Sequence, residues 1–130
     1  MSRNGSTLYV GGFFDTVDAI IKSKGLSKWN GTNWSKVGEG INGYVLSSTM
    51  NGNELYIAGI FDTVGKIRSK NIAKWNGIVW SPLGNGVSDK NSYPLINTML
   101  YNNGNLYVGG KFDSAGKIKV NNISKWDGIS

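Results

Sequence analysis

Residues 55–64 read LYIAGIFDTV, and almost the same ten residues occur twice more in the chain. The other copies are LYVGGFFDTV at 8–17 and LYVGGKFDSA at 106–115. The second and third copies stay in step from Leu55–Gly77 to Leu106–Gly128, whereas the first copy has one extra residue in its loop. Self-similarity at a period of about fifty residues predicts a repeat architecture.

One repeat contains four apolar runs of strand length. Leu55 and Ile57 alternate with Tyr56, so we expect them to face opposite sides of a sheet. Pro82 cannot donate a ladder hydrogen bond, which predicts an edge position for the last run. Asn-Gly pairs follow the first and third runs and favour chain reversal. The predicted strands of the middle repeat are 44–50, 55–61, 71–75 and 79–83.

The composition agrees with an all-β chain. Of the 130 residues, 19 are Gly and 2 are Pro, and no apolar stripe has helical spacing. Four antiparallel strands per repeat predict an all-β fold of the β-propeller type, with four-stranded blades. A β-sandwich or a solenoid is the alternative. A sandwich does not require the same aromatic residue at the same place in every unit, which favours the propeller.

The repeated motifs LYVGG, NISKW or NIAKW, and WSPL resemble the kelch repeat. The longer pattern LYVGGxF…G…NIxxW[ND]G…W is more similar to the kelch-like repeats of galactose-oxidase-type propellers and of fungal cell-polarity markers. The chain departs from kelch repeats in having Trp29, Trp75 and Trp126 where Tyr is usual, and Ala58-Gly59 in place of a second di-glycine. The resemblance implies a propeller fold and no particular activity, because such propellers have many unrelated roles.

The repeat boundaries divide the single domain 1–130 into a partial blade at 1–40, a full blade at 41–86 and a partial blade at 87–130. We expect three, four and three strands from them, because MSRNGSTLY enters at a hairpin turn and KWDGIS precedes any fourth strand. Known propellers have about four to eight blades, so the chain is expected to be incomplete and closed by oligomerisation. A homodimer with six blades is favoured, and a trimer or a fragment of a longer chain remains open.

The repeated glycines and tryptophans are predicted to have structural roles. Glycines near the end of the second strand predict either crowded backbones or positive φ angles; they are Gly11, Gly12, Gly59, Gly109 and Gly110. Tryptophans at equivalent repeat positions predict core packing between blades rather than ligand platforms. This structural repeat core consists of Trp29, Trp34, Trp75, Trp80 and Trp126.

Basic residues recur after the second strand of every copy. Ten of the 14 Lys and Arg residues lie there or on the strand that follows. Equivalent loops of a propeller lie on one face, so a basic ring is expected, either as a solvated rim or as a polyanion-binding site. Lys28, Lys74 and Lys125 belong to the ten, and the candidate polyanion-binding residues are Lys22, Lys24, Lys66, Arg68, Lys70, Lys117 and Lys119.

The sequence excludes several kinds of chemistry. It contains no His and no Cys, so imidazole acid–base catalysis, thiol nucleophiles and disulfides are absent, and galactose-oxidase chemistry cannot accompany the resemblance. We therefore predict a non-catalytic scaffold or protein-interaction module with no cofactor and no metal. The alternatives are a multivalent, lectin-like glycan-binding propeller and a polyanion-binding one, nucleic acid being disfavoured but still open. No signal peptide or membrane segment is recognisable, which leaves the localisation unknown.

Overall fold

A computed structural model describes residues 1–129, and within them every regular element is a β-strand. This confirms the all-β prediction. No helix that could cross a membrane occurs in that part of the chain. The strands are β1 (Ser2–Asn4), β2 (Thr7–Gly11), β3 (Thr16–Val17), β4 (Ile21–Lys22), β5 (Leu26–Trp29), β6 (Trp34–Lys36), β7 (Tyr44–Asn51), β8 (Glu54–Ile60), β9 (Thr63–Val64), β10 (Ile67–Arg68), β11 (Ile72–Trp75), β12 (Trp80–Pro82), β13 (Val87–Ser88), β14 (Leu95–Asn102), β15 (Asn105–Lys111), β16 (Ser114–Ala115), β17 (Ile118–Lys119) and β18 (Ile123–Trp126).

Three large antiparallel sheets follow one another along the chain. The first sheet has the strand order β1-β2-β5-β6, and the central sheet has the same order in β7-β8-β11-β12. The last sheet, β14-β15-β18, has three strands within the described residues. The predicted strands of the middle repeat match β7, β8, β11 and β12 to within one residue at each end. Pro82 lies on β12, which is an edge strand as predicted.

The first sheet has one strand more than the sequence indicated. Residues 2–4 form β1, which pairs with β2 from Ser2–Tyr9 to Asn4–Thr7. The prediction of three strands in 1–40 is therefore wrong. The segment Ser-Arg-Asn contains no apolar residue, so no hydrophobic pattern marked it as a strand. It is ordered by its hairpin partner and by the neighbouring sheet, where the hydroxyls of Ser2 and Ser48 lie 2.7 Å apart.

The long loop after the second strand of each sheet is itself a hairpin. The three hairpins are β3-β4, β9-β10 and β16-β17, and β13 adds a strand to the last of them. Val64 pairs with Ile67 around a two-residue turn in which Gly65 has a φ of +56°. In the first copy, Val17 pairs with Ile21 around a three-residue turn. The extra residue of the first repeat therefore lies in a surface turn, where it leaves the sheets unchanged.

The central sheet is buried on both faces, and each face contacts a different neighbour. Leu55 and Ile57 point into the first junction, the apolar cluster that the central sheet forms with Tyr9 and Leu26 of the first sheet. Tyr56 points the other way, into the second junction with the last sheet. The predicted alternation on β8 is thus confirmed. The second junction contains Tyr56, Ala58, Ile72, Leu83, Val87, Ile96, Met99, Leu106, Val108 and Phe112.

Close backbone approach explains the glycines at the ends of β8 and β15. A Cβ on Gly59 would collide with the carbonyl oxygen of Tyr44, and one on Gly110 would collide with that of Leu95. Neither glycine has a positive φ angle. Crowding, the first of the two predicted reasons, therefore applies here, and any larger residue would push adjacent strands apart.

Candidate functional site

Each hairpin carries one basic residue at the same position of its second strand. These side chains lie opposite a hydroxyl residue of the first strand, in the pairs Thr16–Lys22, Thr63–Arg68 and Ser114–Lys119. All three basic side chains are exposed. The repeat therefore presents a positive charge at an equivalent site of each hairpin.

Two equivalent surface grooves bring several of these charges together. The first groove, of about 330 Å³, is lined by Lys22, Lys24 and Lys36, with Asp15 and Glu39 beside them. Sequence reasoning missed Lys36, which lies on β6, far from the hairpin along the chain but next to it in space. The sequence contains one sign of this grouping: the first copy has Lys36 on its edge strand at the repeat position where the middle copy has Pro82.

The second groove, of about 490 Å³, is lined by Arg68, Lys70 and Asp62. Arg68, Lys70 and Asp62 occupy the repeat positions of Lys22, Lys24 and Asp15. The two grooves thus share two basic side chains and one carboxylate at equivalent repeat positions, and the first groove has Lys36 and Glu39 in addition. A cationic groove of this kind attracts anions in a manner that depends on salt.

The other predicted basic residues lie elsewhere. Lys66 forms an exposed ion pair with Glu39 at 3.1 Å. Lys117 borders an apolar pocket between the central and last sheets. Lys119 is exposed on β17 and lines neither groove.

Lys24, in the first groove, also lies 5.0 Å from the centre of the Tyr44 ring, at cation–π distance. Four of the seven candidates therefore line the grooves: Lys22, Lys24, Arg68 and Lys70.

Two carboxylates immediately before hairpin strands anchor the chain there: Asp62 is exposed, and Asp113 is half-buried. A hydrogen bond from the Thr63 hydroxyl, followed by one from the Asn42 amide, lowers the pKa of Asp62. The pKa of Asp113 is lowered chiefly by a hydrogen bond from the Ser114 hydroxyl. Within residues 1–129, no group of three or more carboxylates is close enough to hold a metal ion.

A half-buried ion pair connects β8 and β11 in the central sheet. The ammonium group of Lys74 lies 2.7 Å from a carboxylate oxygen of Glu54, and this contact is the main cause of a lowered pKa for Glu54. The Tyr56 hydroxyl donates to the other oxygen at 3.0 Å. Burial is the main cause of a raised pKa for Tyr56, whose ring stacks on Tyr101 in the second junction. These contacts connect β8 with β11 and with the second junction.

The repeated tryptophans form pairs across β5-β6 and β11-β12. The ring centres of Trp29 and Trp34 are 5.4 Å apart, and those of Trp75 and Trp80 are 5.2 Å apart. Trp75 and Trp80 are buried in the first junction, so they cannot stack on a sugar. Trp29, Trp34 and Trp126 are half-buried.

The two outer faces of the stack of sheets contain apolar side chains, which are exposed on the last sheet and half-buried on the first. On the last sheet, Tyr107, Leu100 and Ile123 lie on the face that points away from the central sheet, and Ile123 is 68% exposed. The outer face of the first sheet carries Leu8 and Val10, which alternate with Tyr9 of the first junction, together with half-buried Trp29 and Trp34. We call these surfaces the Ile123 face and the Trp29 face.

Comparison of the chain with protein-family models, with curated proteins and with solved structures found no match.

Proposed function

We propose that the chain is a non-catalytic interaction module whose three large sheets are successive blades of a β-propeller, and that two copies associate into a six-bladed ring. The ring would act as a scaffold that presents its hairpins to a protein partner. The observation that carries this proposal is that the same sheet-to-sheet contact occurs in both junctions. The outer faces of the first and last sheets each carry one side of this contact without the other.

The repeated contact joins unlike faces. In the first junction, Leu55 and Trp75 of the central sheet meet Tyr9 of the first sheet. In the second junction, the equivalent Leu106 and Trp126 of the last sheet meet Tyr56 of the central sheet. The Trp29 face carries the Leu and Trp positions that form one side of each junction. The Ile123 face carries the Tyr position that forms the other side. Each face is therefore complementary to the other face of a second copy.

Two further considerations support two copies. Exposed contiguous apolar surface favours association, because repeat units cannot bury their core face alone. A head-to-tail contact made twice closes a ring with two-fold symmetry. Two copies provide six large sheets, within the range of about four to eight blades that propellers use, whereas three copies would exceed it.

Light scattering tests the assembly at micromolar concentration. We expect a mass of twice 14.1 kDa for the chain. Ile123→Asp should produce a folded monomer, because it places a charge on the Ile123 face without disturbing the core. Ile20→Asp is the matched control, since Ile20 is 83% exposed in a hairpin turn and belongs to neither face. A folded wild-type chain that stays at 14.1 kDa would contradict the proposal.

The two basic grooves favour a second function, the binding of an acidic glycan. Heparin should bind with an affinity that falls steeply as salt rises, because basic side chains release counterions from a polyanion. Replacing Lys22, Lys24, Arg68 and Lys70 by Glu should remove most of that binding, because it reverses the basic pair that both grooves share. Lys119→Glu is the control, since Lys119 is exposed and lines neither groove. Absence of heparin binding at low salt would leave the basic ring as a solvated rim.

A further inference from the structure

An apolar pocket of about 310 Å³ lies in the second junction, beside β18 and the hairpin β16-β17. Its walls include Leu83, Val87, Gly116, Ile118 and Trp126. The volume is at the lower end of the range of about 300–1,000 Å³ for small-ligand sites. We call it the open pocket.

The equivalent place in the first junction holds a tryptophan side chain. Trp80 on β12 is buried there, with its ring centre 5.2 Å from that of Trp75. Its indole N–H donates to the carbonyl of Val37 at 3.3 Å. A Cβ built on Gly65 would lie 3.3 Å from the indole Cδ1. Trp80 thus fills the space between Trp75 and the β9-β10 turn.

The open pocket has the same walls without that side chain. Trp126, Gly116 and Leu83 occupy the repeat positions of Trp75, Gly65 and Val37. A Cβ built on Gly116 would meet no atom within 4 Å. Ile118 is 58% exposed, whereas its counterpart Ile67 packs against the first cluster. The size and lining of the pocket therefore suit an indole ring.

The polar groups around the pocket also match. The Leu83 carbonyl accepts the Gly86 N–H at 3.0 Å, just as the Val37 carbonyl accepts the Gly40 N–H at 3.1 Å. A carbonyl has a second lone pair that can accept an indole N–H. On the sheet side, β11 pairs with β8 and β12, but β18 pairs only with β15 within residues 1–129. Its free edge offers backbone donors and acceptors for an added strand.

We infer that the open pocket binds the indole of a tryptophan carried by an extended peptide segment, which adds to the last sheet as a fourth strand antiparallel to β18. The Trp of the segment lies opposite Trp126, as Trp80 lies opposite Trp75. The sequence type is Trp-Ser-Pro, which the chain itself uses at 80–82. Side chains of the Trp29 and Ile123 faces do not line this pocket, so the inference does not depend on ring assembly.

A synthetic peptide with the sequence of residues 76–84, NGIVWSPLG, is the probe. Titrated into the isotope-labelled chain, it should shift the amide signals of Gly116 and Ile118 and the indole signal of Trp126. The peptide with Ala in place of Trp should bind about 30-fold more weakly, as expected for a buried Trp anchor. Equal binding of the two peptides would overturn the inference.

Two further measurements test the pocket and the added strand. Ile118→Asp should weaken peptide binding about tenfold or more, because it places a charge on the apolar wall. The control Ile20→Asp should leave binding unchanged, since Ile20 lies in an exposed turn of the first hairpin. Hydrogen exchange at β18 amides should slow when the peptide binds. Unchanged binding by Ile118→Asp, or binding without slower exchange, would contradict the proposed geometry.

Discussion

The first and second junctions are built from the same repeat positions, yet they differ in how completely they are filled. In the first, Trp75 and Trp80 are both buried, at 5% and 8% exposure. In the second, Trp126 is half-buried and borders a cavity of about 310 Å³. The strands that carry Trp75 and Trp126 are closely alike in sequence: 55–75 of the central sheet corresponds to 106–126 of the last sheet.

This difference shows what the fourth strand contributes. The pairing of β8 with β11 has the same register as that of β15 with β18, with Leu opposite Trp in both. The edge strand β12 therefore does not determine the pairing of the inner strands. It supplies the side chain that completes packing between neighbouring sheets, at a site where lost van der Waals contacts lower stability.

Removal of the central tryptophan should have the largest effect. Trp75→Ala is expected to lower the free energy of unfolding by about 3–5 kcal/mol, because it empties a packed site in the first junction. Trp126→Ala should lower it by only about 1–2 kcal/mol, since that ring is already partly solvated. Urea unfolding of both variants measures the difference. Equal losses would show that the two junctions are packed alike.

The turns of the hairpins provide a finer test of the same contrast. Gly65→Ala and Gly116→Ala should each cost about 1–2 kcal/mol, because both glycines have positive φ angles. Gly65→Ala should be the more damaging of the two, because the new methyl group would also press on the Trp80 indole. Thermal unfolding of the matched pair measures the additional loss. A larger loss of stability for Gly116→Ala would mean that the open pocket is filled.

A buried hydroxyl extends the comparison to the first sheet. Ser27 is fully buried, and its hydroxyl has no hydrogen-bond partner within residues 1–129. The equivalent residue in the first junction is Ala73, which is also fully buried. Ser27→Ala is expected to stabilise the chain by about 1 kcal/mol, because an unsatisfied buried hydroxyl is costly. A lower melting temperature for this variant would reveal a hydrogen bond to Ser27, such as one from a second copy.

The smallest expected effect concerns the Glu54–Lys74 ion pair, which has no counterpart at Asn105 and Lys125. The folded-state pKa of Glu54 is lowered, so its contribution is present above the unfolded pKa of about 4.3 and is lost as the pH falls through the folded value. At pH 7, Glu54→Gln should cost less than about 1 kcal/mol, since the pair is partly solvated. The difference from wild type should shrink as the pH falls below the unfolded pKa and through the lowered folded-state pKa of Glu54. A constant difference at all pH values would contradict this assignment.

Much of the fold could be predicted from the sequence because repetition itself carries the information. The alternation of Leu55, Tyr56 and Ile57 indicated the two-faced central sheet, and Pro82 indicated its edge strand. The polar segment Ser2–Asn4 could not be identified as a strand, because it has no apolar period and is ordered only by its partners. The hairpin within each long loop was missed for a related reason, since two-residue strands have no detectable pattern.

The candidate sites were less predictable. The basic hairpin residues were visible as a repeated charge pattern, but the grouping of Lys36 with Lys22 depends on β6 lying beside the first hairpin. The sequence likewise contained Trp126 and the motif around it, without indicating that a cavity lies beside the ring. Cavities and grooves depend on distances between segments that are remote in the chain, which only the packed sheets define.

The sequence by itself therefore determined the all-β class, the repeat period and the inward faces of the strands, because these follow from local periodicity and from glycine and proline chemistry. The tertiary structure alone decided which faces meet, which remain exposed, and where the junctions are filled. The physical reason is that identical strands have equivalent local preferences, whereas the burial of a face depends on its neighbours. Leu55 and Leu8 show this directly: the first is fully buried between two sheets, and the second is half-buried at an outer face.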